Sequence, residues 1–168
     1  MKKDGELSEN MEDYLEVILD LEKTQKVARP KDIAARLDIQ RGSVTGGLKS
    51  LEKKGLINYE PYSFITLTPK GTSIAQEITR RHGILSDFFS NVLQVYANTA
   101  DATACRIEHA IDALTMERLV RFIDYIYTCP RTGPEWIEKF TRHCLAQGHE
   151  RERCTLCLEE CNNKFQNE

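Results

Sequence analysis

Pro30-Lys31-Asp32-Ile33-Ala34-Ala35-Arg36-Leu37-Asp38-Ile39-Gln40-Arg41-Gly42-Ser43-Val44-Thr45-Gly46-Gly47-Leu48-Lys49-Ser50-Leu51 is the stretch that decides the fold. Its apolar positions divide into two helical sets. Ile33, Ala34 and Leu37 share one face of a short helix over 30–37, and Pro30 suits that helix's first position. Val44, Leu48 and Leu51 share one face of a second, from about Arg41 to Gly55, where glycine is a natural C-cap. Asp38-Ile39-Gln40 makes the turn between them.

The flanks complete a larger unit. Upstream, Met11, Tyr14, Leu15, Ile18 and Leu21 form an apolar stripe on a helix from Ser8 to about Lys26, with Ser8 as the expected N-cap. Downstream, Leu56–Glu60 and Phe64–Thr68 are β-rich runs joined by Pro61-Tyr62-Ser63, which predicts a hairpin. Three helices and then a hairpin is the order of a winged helix-turn-helix, whose third helix enters the DNA major groove. Gln40, Arg41, Ser43, Thr45 and Lys49 would supply its contacts, with Arg29 and Lys31 beside them. Ser and Thr suit phosphate oxygens and Arg41 suits a guanine edge. Gly46-Gly47 inside the third helix should weaken it by roughly 1 kcal/mol per glycine relative to alanine. Close approach of the backbone to DNA would account for the pair.

Charge follows the same division. The whole chain has a net charge of −3, but residues 26–54 hold eight Lys/Arg against three Asp/Glu. Residues 1–25 hold three against eight. The positive charge lies in the segment that would face phosphates. With 168 residues, 40% of them hydrophobic and 29% charged, the chain reads as soluble and globular. No apolar run approaches a membrane span, and no apolar h-region follows the N-terminus. A cytoplasmic protein is expected, whose cysteines are thiols or ligands rather than disulfides. Nothing points to a membrane or to a small-molecule substrate.

Beyond the hairpin, Thr68-Pro69-Lys70-Gly71 opens a predicted long helix to about Ala97. Helices over 101–113 and 115–127 follow. After a break at Cys129-Pro130-Arg131-Thr132-Gly133-Pro134 comes a helix to about Gln147 and a polar tail. The fold expected is mainly α. A DNA-binding domain (7–70) precedes a helical metal-binding and dimerisation domain (71–128) and a cysteine-containing extension (129–168).

Three of these helices carry metal-ligand chemistry. Asp13 and Glu16 are three apart and share a face. His82 lies on the long helix. Cys105, Glu108 and His109 have i, i+3, i+4 spacing. Carboxylates, imidazoles and one thiolate suit a first-row divalent ion.

Together these motifs resemble the diphtheria-toxin-repressor family of metal-dependent transcriptional repressors, which includes iron-dependent and manganese-transport regulators. Met11-Glu12-Asp13-Tyr14-Leu15-Glu16 resembles the N-terminal metal motif of the manganese branch. Asp32–Leu37 with Ser43-Val44-Thr45 resembles the helix-turn-helix, Leu67–Gly71 the wing exit, and Arg81-His82 the dimer-helix motif. Ala104-Cys105-Arg106-Ile107-Glu108-His109 resembles the iron branch's metal motif. The likeness covers about residues 7–128, with five motifs in order. It implies a homodimer that binds a palindromic double-stranded operator when loaded with Fe(II) or Mn(II).

The ligand set it implies is a hybrid. Asp13 stands where the iron branch has methionine, and Cys105 where the manganese branch has glutamate. Ser86 and Asp101 replace ligands of the iron branch's ancillary site. Glu16 and His82 instead suggest a second ion beside the first, as in the manganese branch. Too few residues follow for the family's SH3-like C-terminal domain, so its absence is expected.

The extension holds Cys129, Cys144, Cys154, Cys157 and Cys161, with His143 and His149. Cys154-Thr155-Leu156-Cys157 is a C-x-x-C pair. Four thiolates would make a tetrahedral Zn(II) site, with an iron–sulfur cluster or a redox pair as alternatives. A regulator sensing oxidation through these cysteines is the rival reading. An enzyme with Cys105 as nucleophile and His109 as base lacks an orienting third group and an oxyanion site.

Overall fold

The computed structural model describes residues 7–59 and 64–145. In chain order the elements are α1 (Glu9–Gln25), α2 (Pro30–Arg36), α3 (Arg41–Lys53), β1 (Ile57–Asn58), β2 (Thr66–Leu67), α4 (Pro69–Asp87), a π-helical turn (Phe88–Val92), α5 (Ala97–Ile107), α6 (Ala113–Thr128) and α7 (Pro134–Leu145). The chain forms two compact units, one up to Phe122 and one from Ile123.

In the first unit the expected stripes point inward. Tyr14, Leu15, Ile18 and Leu21 of α1, Ile33 and Ala34 of α2, and Val44, Leu48 and Leu51 of α3 are buried in one core with Leu56, Ile57, Ile65 and Leu67 of the hairpin. β1 and β2 are antiparallel, with Ile57 opposite Leu67 and Asn58 opposite Thr66. Ile65 also exchanges two backbone hydrogen bonds with Ala28, just before α2, so the wing is anchored on both sides. α3 stops where expected, with Gly55 at φ +68°, a left-handed conformation that costs glycine little.

Gly47 has a reason in the packing. A Cβ there would stand 2.9 Å from the Tyr14 ring, so glycine lets α1 seat a buried tyrosine against α3. A Cβ at Gly46 would meet nothing. Packing thus accounts for one glycine of the pair and leaves the other on an open face.

α4 begins with a built cap. The Thr68 hydroxyl accepts from the Gly71 N–H at 3.1 Å and donates to the Gly55 carbonyl at 2.8 Å. At α1 the expectation was partly wrong. Ser8 occupies the cap position, but its hydroxyl makes no cap bond; its carbonyl accepts from Met11 and Glu12.

The predicted helix to Ala97 also needs correction. α4 gives way at Phe88 to one π turn, and the chain re-enters helix at Ala97. The Phe88 ring packs against Phe89 and, edge-on, against Phe122. α5 therefore runs from Ala97 to Ile107 rather than from 101 to 113. α1 and α5 both pack on α4. A second small core of Leu85, Ala104 and Met116 lies among α4, α5 and α6. In the second unit Thr132 ties the chain after α6 back to the carbonyls of Tyr125 and Ile126, and Trp136 stacks on Phe140 in α7. No described helix is long and apolar enough to cross a membrane.

Candidate metal centre and DNA-binding face

Glu108 is the centre of a polar cluster. It caps the end of α5, is 1% exposed, and is the one buried charged residue among those described. Its two oxygens face different imidazoles. Oε2 lies 2.7 Å from Nδ1 of His82 on α4, and Oε1 lies 3.3 Å from Nε2 of His109. His109 Nε2 is also 3.0 Å from Oδ1 of Asp13 on α1. Residues of α1, α4 and the end of α5 therefore meet at one point, although they lie far apart in the chain.

The electrostatics are those of crowded acids. Burial, and then the charge of Glu16, push the Glu108 carboxyl up to about 7 despite His82 and His109. Burial pushes Asp13 above its ordinary value against the pull of His109. Burial would lower His82, but Asp101 and Glu108 outweigh it and the net shift is upward. His109 is likewise lowered by burial and raised further by Glu12, Asp13 and Glu108. The Cys105 thiol is pushed up by burial and then by Glu108, Asp13, Glu16 and Asp101. Cys105 is exposed as a residue, and Glu16 makes no hydrogen bond or ion pair among the described residues, yet both lie within this field.

Among the described residues no three His, Cys, Asp or Glu side chains are already arranged to hold an ion. The imidazoles are instead engaged with carboxylates. The fit to a cation rests on two atoms. Glu108 Oε1 and His109 Nε2 are buried and make no hydrogen bond. They lie 3.3 Å apart. Buried polar atoms left this way incur a desolvation cost unless something else satisfies them. With Asp13 Oδ1, they converge as two carboxylate oxygens and one imidazole nitrogen, a donor set suited to Mn(II) or Fe(II). Of the expected ligands Asp13, Glu16, His82, Cys105, Glu108 and His109, the structure brings Asp13, Glu108 and His109 to this point, with His82 on the far oxygen of Glu108.

Two contacts were not read from the sequence. Glu12 Oε2 lies 2.7 Å from His109 Nδ1, and Asp101 Oδ1 lies 3.0 Å from His82 Nε2. A signal was present in both cases. Glu12 is four residues from Glu16, and Asp101 four from Cys105, so each shares the face of a candidate ligand.

On α3 and its turn, Gln40, Arg41, Ser43, Thr45 and Lys49 are all exposed, opposite the buried Val44, Leu48 and Leu51. Lys31 is exposed at the start of α2. Arg29 is exposed too, with its guanidinium 5.2 Å from the Phe64 ring centre of the wing. In the second unit, Cys129 follows α6, its thiol lowered first by a hydrogen bond with Tyr125. Cys144 falls in α7. Cys154, Cys157, Cys161 and His149 lie outside the described residues, and so does any site they form.

The fold is thus a helix-turn-helix with a wing, followed by a helical layer that bears clustered acids and imidazoles. Residues 6–65 match the iron dependent repressor N-terminal DNA binding domain, and residues 68–137 match the iron dependent repressor metal binding and dimerisation domain. The chain belongs to this family of metal-dependent transcriptional repressors, whose members are regulators and not enzymes. An HTH-type transcriptional regulator of Methanocaldococcus jannaschii is 35% identical over 119 residues, 70% of this chain and 95% of that one. The regulator MntR of Listeria monocytogenes is 32% identical over 121 residues, 72% of this chain and 84% of that one. A solved manganese-dependent transcriptional repressor in complex with manganese superposes with a TM-score of 0.63 at 26% identity. That match covers 74% of this chain and 55% of that repressor, so the chain spans about half its length. The match does not favour oxidation sensing by the extension.

Proposed function

We propose that this chain is a transcriptional repressor that binds a palindromic operator as a homodimer when loaded with Mn(II) or Fe(II), and so adjusts metal homeostasis. The observation that carries the reading is the meeting of Asp13, Glu108 and His109 at unsatisfied buried atoms. α1 belongs to the DNA-binding half (7–70), and Glu108 and His109 to the helical half (71–128). A group gripping both sides of that junction ties the angle of one half to the other.

A divalent ion, when bound, supplies the positive charge that the carboxylates lack. Asp13 and Glu16 draw α1 toward the end of α5, and His82 holds Glu108 from the α4 side. Once the junction is set, α3 is presented at one orientation. Two copies then present two recognition helices at the spacing of successive major grooves. Arg41 and Lys49, with Arg29 and Lys31 beside them, supply the charge that meets phosphate or base edges.

Fluorescence anisotropy on DNA from the protein's own upstream region tests this, with Mn(II), with Fe(II) under anaerobic conditions, and with chelator. Allosteric coupling of the usual size predicts a roughly 5- to 150-fold gain in affinity on metal loading. Equal affinity in metal and in chelator overturns the proposal.

A further inference from the structure

We infer that Glu12, which lies outside the ligand set, is the positioning residue that holds His109 with its proton on Nδ1 and aims Nε2 at Asp13 and Glu108. The inference rests on the reading of Asp13, Glu108 and His109 as ligands. The geometry itself does not. Glu12 Oε2 lies 2.7 Å from His109 Nδ1. An ionised carboxylate only accepts, so Nδ1 donates. A neutral imidazole has a single N–H, so Nε2 then carries a lone pair.

That lone pair faces Asp13 Oδ1 at 3.0 Å and Glu108 Oε1 at 3.3 Å, with no hydrogen bond made by Nε2. Electron pairs turned toward one another in a buried place repel unless a proton or a metal cation lies between them. His82 differs. Each of its nitrogens has a carboxylate partner, Glu108 on Nδ1 and Asp101 on Nε2, so the contacts alone do not choose its tautomer. Of these two histidines, His109 is the one with a hydrogen-bonded acceptor on one nitrogen and none on the other.

The bond spans 97 residues of chain, from the first turn of α1 to the end of α5. Neighbouring carboxylates on α1 therefore have separate tasks. Asp13 faces the position where an ion would sit, and Glu12 stands behind the histidine. A partner of this kind orients a ligating imidazole and raises its basicity.

The test uses the full-length protein. Long-range proton–nitrogen NMR of the metal-free chain, above the imidazole titration, should show His109 with Nε2 unprotonated. Glu12→Ala should shift His109 toward the Nε2–H form usual for a free imidazole and weaken Co(II) binding by roughly 10- to 100-fold. Glu12→Gln keeps an oxygen that accepts from Nδ1–H, and it should restore both readouts in large part. A merely structural loss would leave that rescue and the tautomer unmoved. A wild-type His109 protonated on Nε2 overturns the inference without any variant. So does a Glu12→Ala protein whose tautomer or Co(II) affinity equals wild type. Glu108→Ala is the separate control. If it binds Co(II) as wild type does, the ligand reading fails, and the NMR still decides the role of Glu12.

Discussion

The junction between α1 and α5 and the outer face of α3 are both polar, yet they are built in opposite ways. At the junction, Glu108 is buried and Glu12, Asp13, His82 and His109 are packed within hydrogen-bonding reach of one another or of Asp101. On α3, Gln40, Arg41, Ser43, Thr45 and Lys49 are exposed above an apolar stripe. Burying a charged group is costly unless it is satisfied, so the junction has only a few stable arrangements and suits a two-state response. Exposed side chains remain hydrated and free to reorganise, which suits recognition of a partner that brings its own charge. On the proposed reading, sensing falls to the constrained region and DNA reading to the unconstrained one.

The sharpest way to break this comparison is to remove the junction's chemistry while leaving α3 intact. Glu108→Ala or His109→Ala should abolish metal-stimulated DNA binding, a loss of roughly 5- to 150-fold at saturating metal. Binding in chelator should stay near the wild-type level, because α3 is unchanged. Anisotropy with and without Mn(II) measures both quantities. Undiminished stimulation in both variants would mean the junction is not the sensor.

The reverse experiment alters α3. Lys49→Ala should weaken binding about equally on all sequences and lower the salt slope by roughly one unit. Arg41→Ala should cost about 1–3 kcal/mol on the specific site and relax the base preference there. Each loss should appear with and without metal, since neither residue touches the junction. An Arg41 or Lys49 variant defective only in the presence of metal would show that the two regions are not separable.

The two regions also differed in how far the sequence reveals them. Periodicity placed the α3 face readily, because exposure follows from the 3.6-residue repeat once Val44, Leu48 and Leu51 are identified as core. Gly47 was harder. Its reason is the Tyr14 ring from another helix, which no local pattern records. The candidate ligands are proposed from spacing and residue type; Glu12 is not among them, and Asp101 is read there only as the replacement for a ligand of the iron branch. Their roles depend on which imidazole nitrogen each one faces, a question of tertiary geometry. The end of α4 was misplaced for a similar reason. Phe88 and Phe89 continue an apolar pattern into the π turn, and helix periodicity alone does not mark the break.

A finer test concerns metal choice at the junction. Cys105 is the only soft donor in the candidate set, and it sits in a field of carboxylates that holds its thiol pKa up. Cys105→Glu should shift activation toward Mn(II) and away from Co(II) and Fe(II). The cobalt form of a protein in which the other cysteines are replaced should show a thiolate charge-transfer band that this variant lacks. Identical cobalt spectra would remove Cys105 from the ligand set and leave a carboxylate–imidazole site.

The smallest expected effect is on stability, and it follows from the junction's crowded charges alone. Glu108 is raised from 4.5 to about 7, and His82, His109 and Asp13 are raised as well. A group whose folded pKa is raised contributes its full stability below its unfolded pKa and loses it as pH rises through the folded value. For Glu108 that window runs from 4.5 to about 7, and the histidines extend it upward. Glu77, lowered from 4.5 to about 2 first by its hydrogen bond from Arg80, gives the opposite slope, but only below 4.5. It therefore does not mask the trend. The metal-free protein should melt lower at about pH 8 than at about pH 5, by an amount on the order of a few degrees. Glu108→Gln should flatten much of that slope, because it removes the buried carboxyl that is raised to about 7. Ligands must be deprotonated to bind, so the rise in melting temperature on adding Mn(II) should grow across the same window. Thermal melts of metal-free and Mn(II)-loaded protein from about pH 5 to 8 measure both trends. A metal-free protein that grew steadily more stable with pH would mean that the junction's acids and imidazoles are not as crowded in solution as their packing requires.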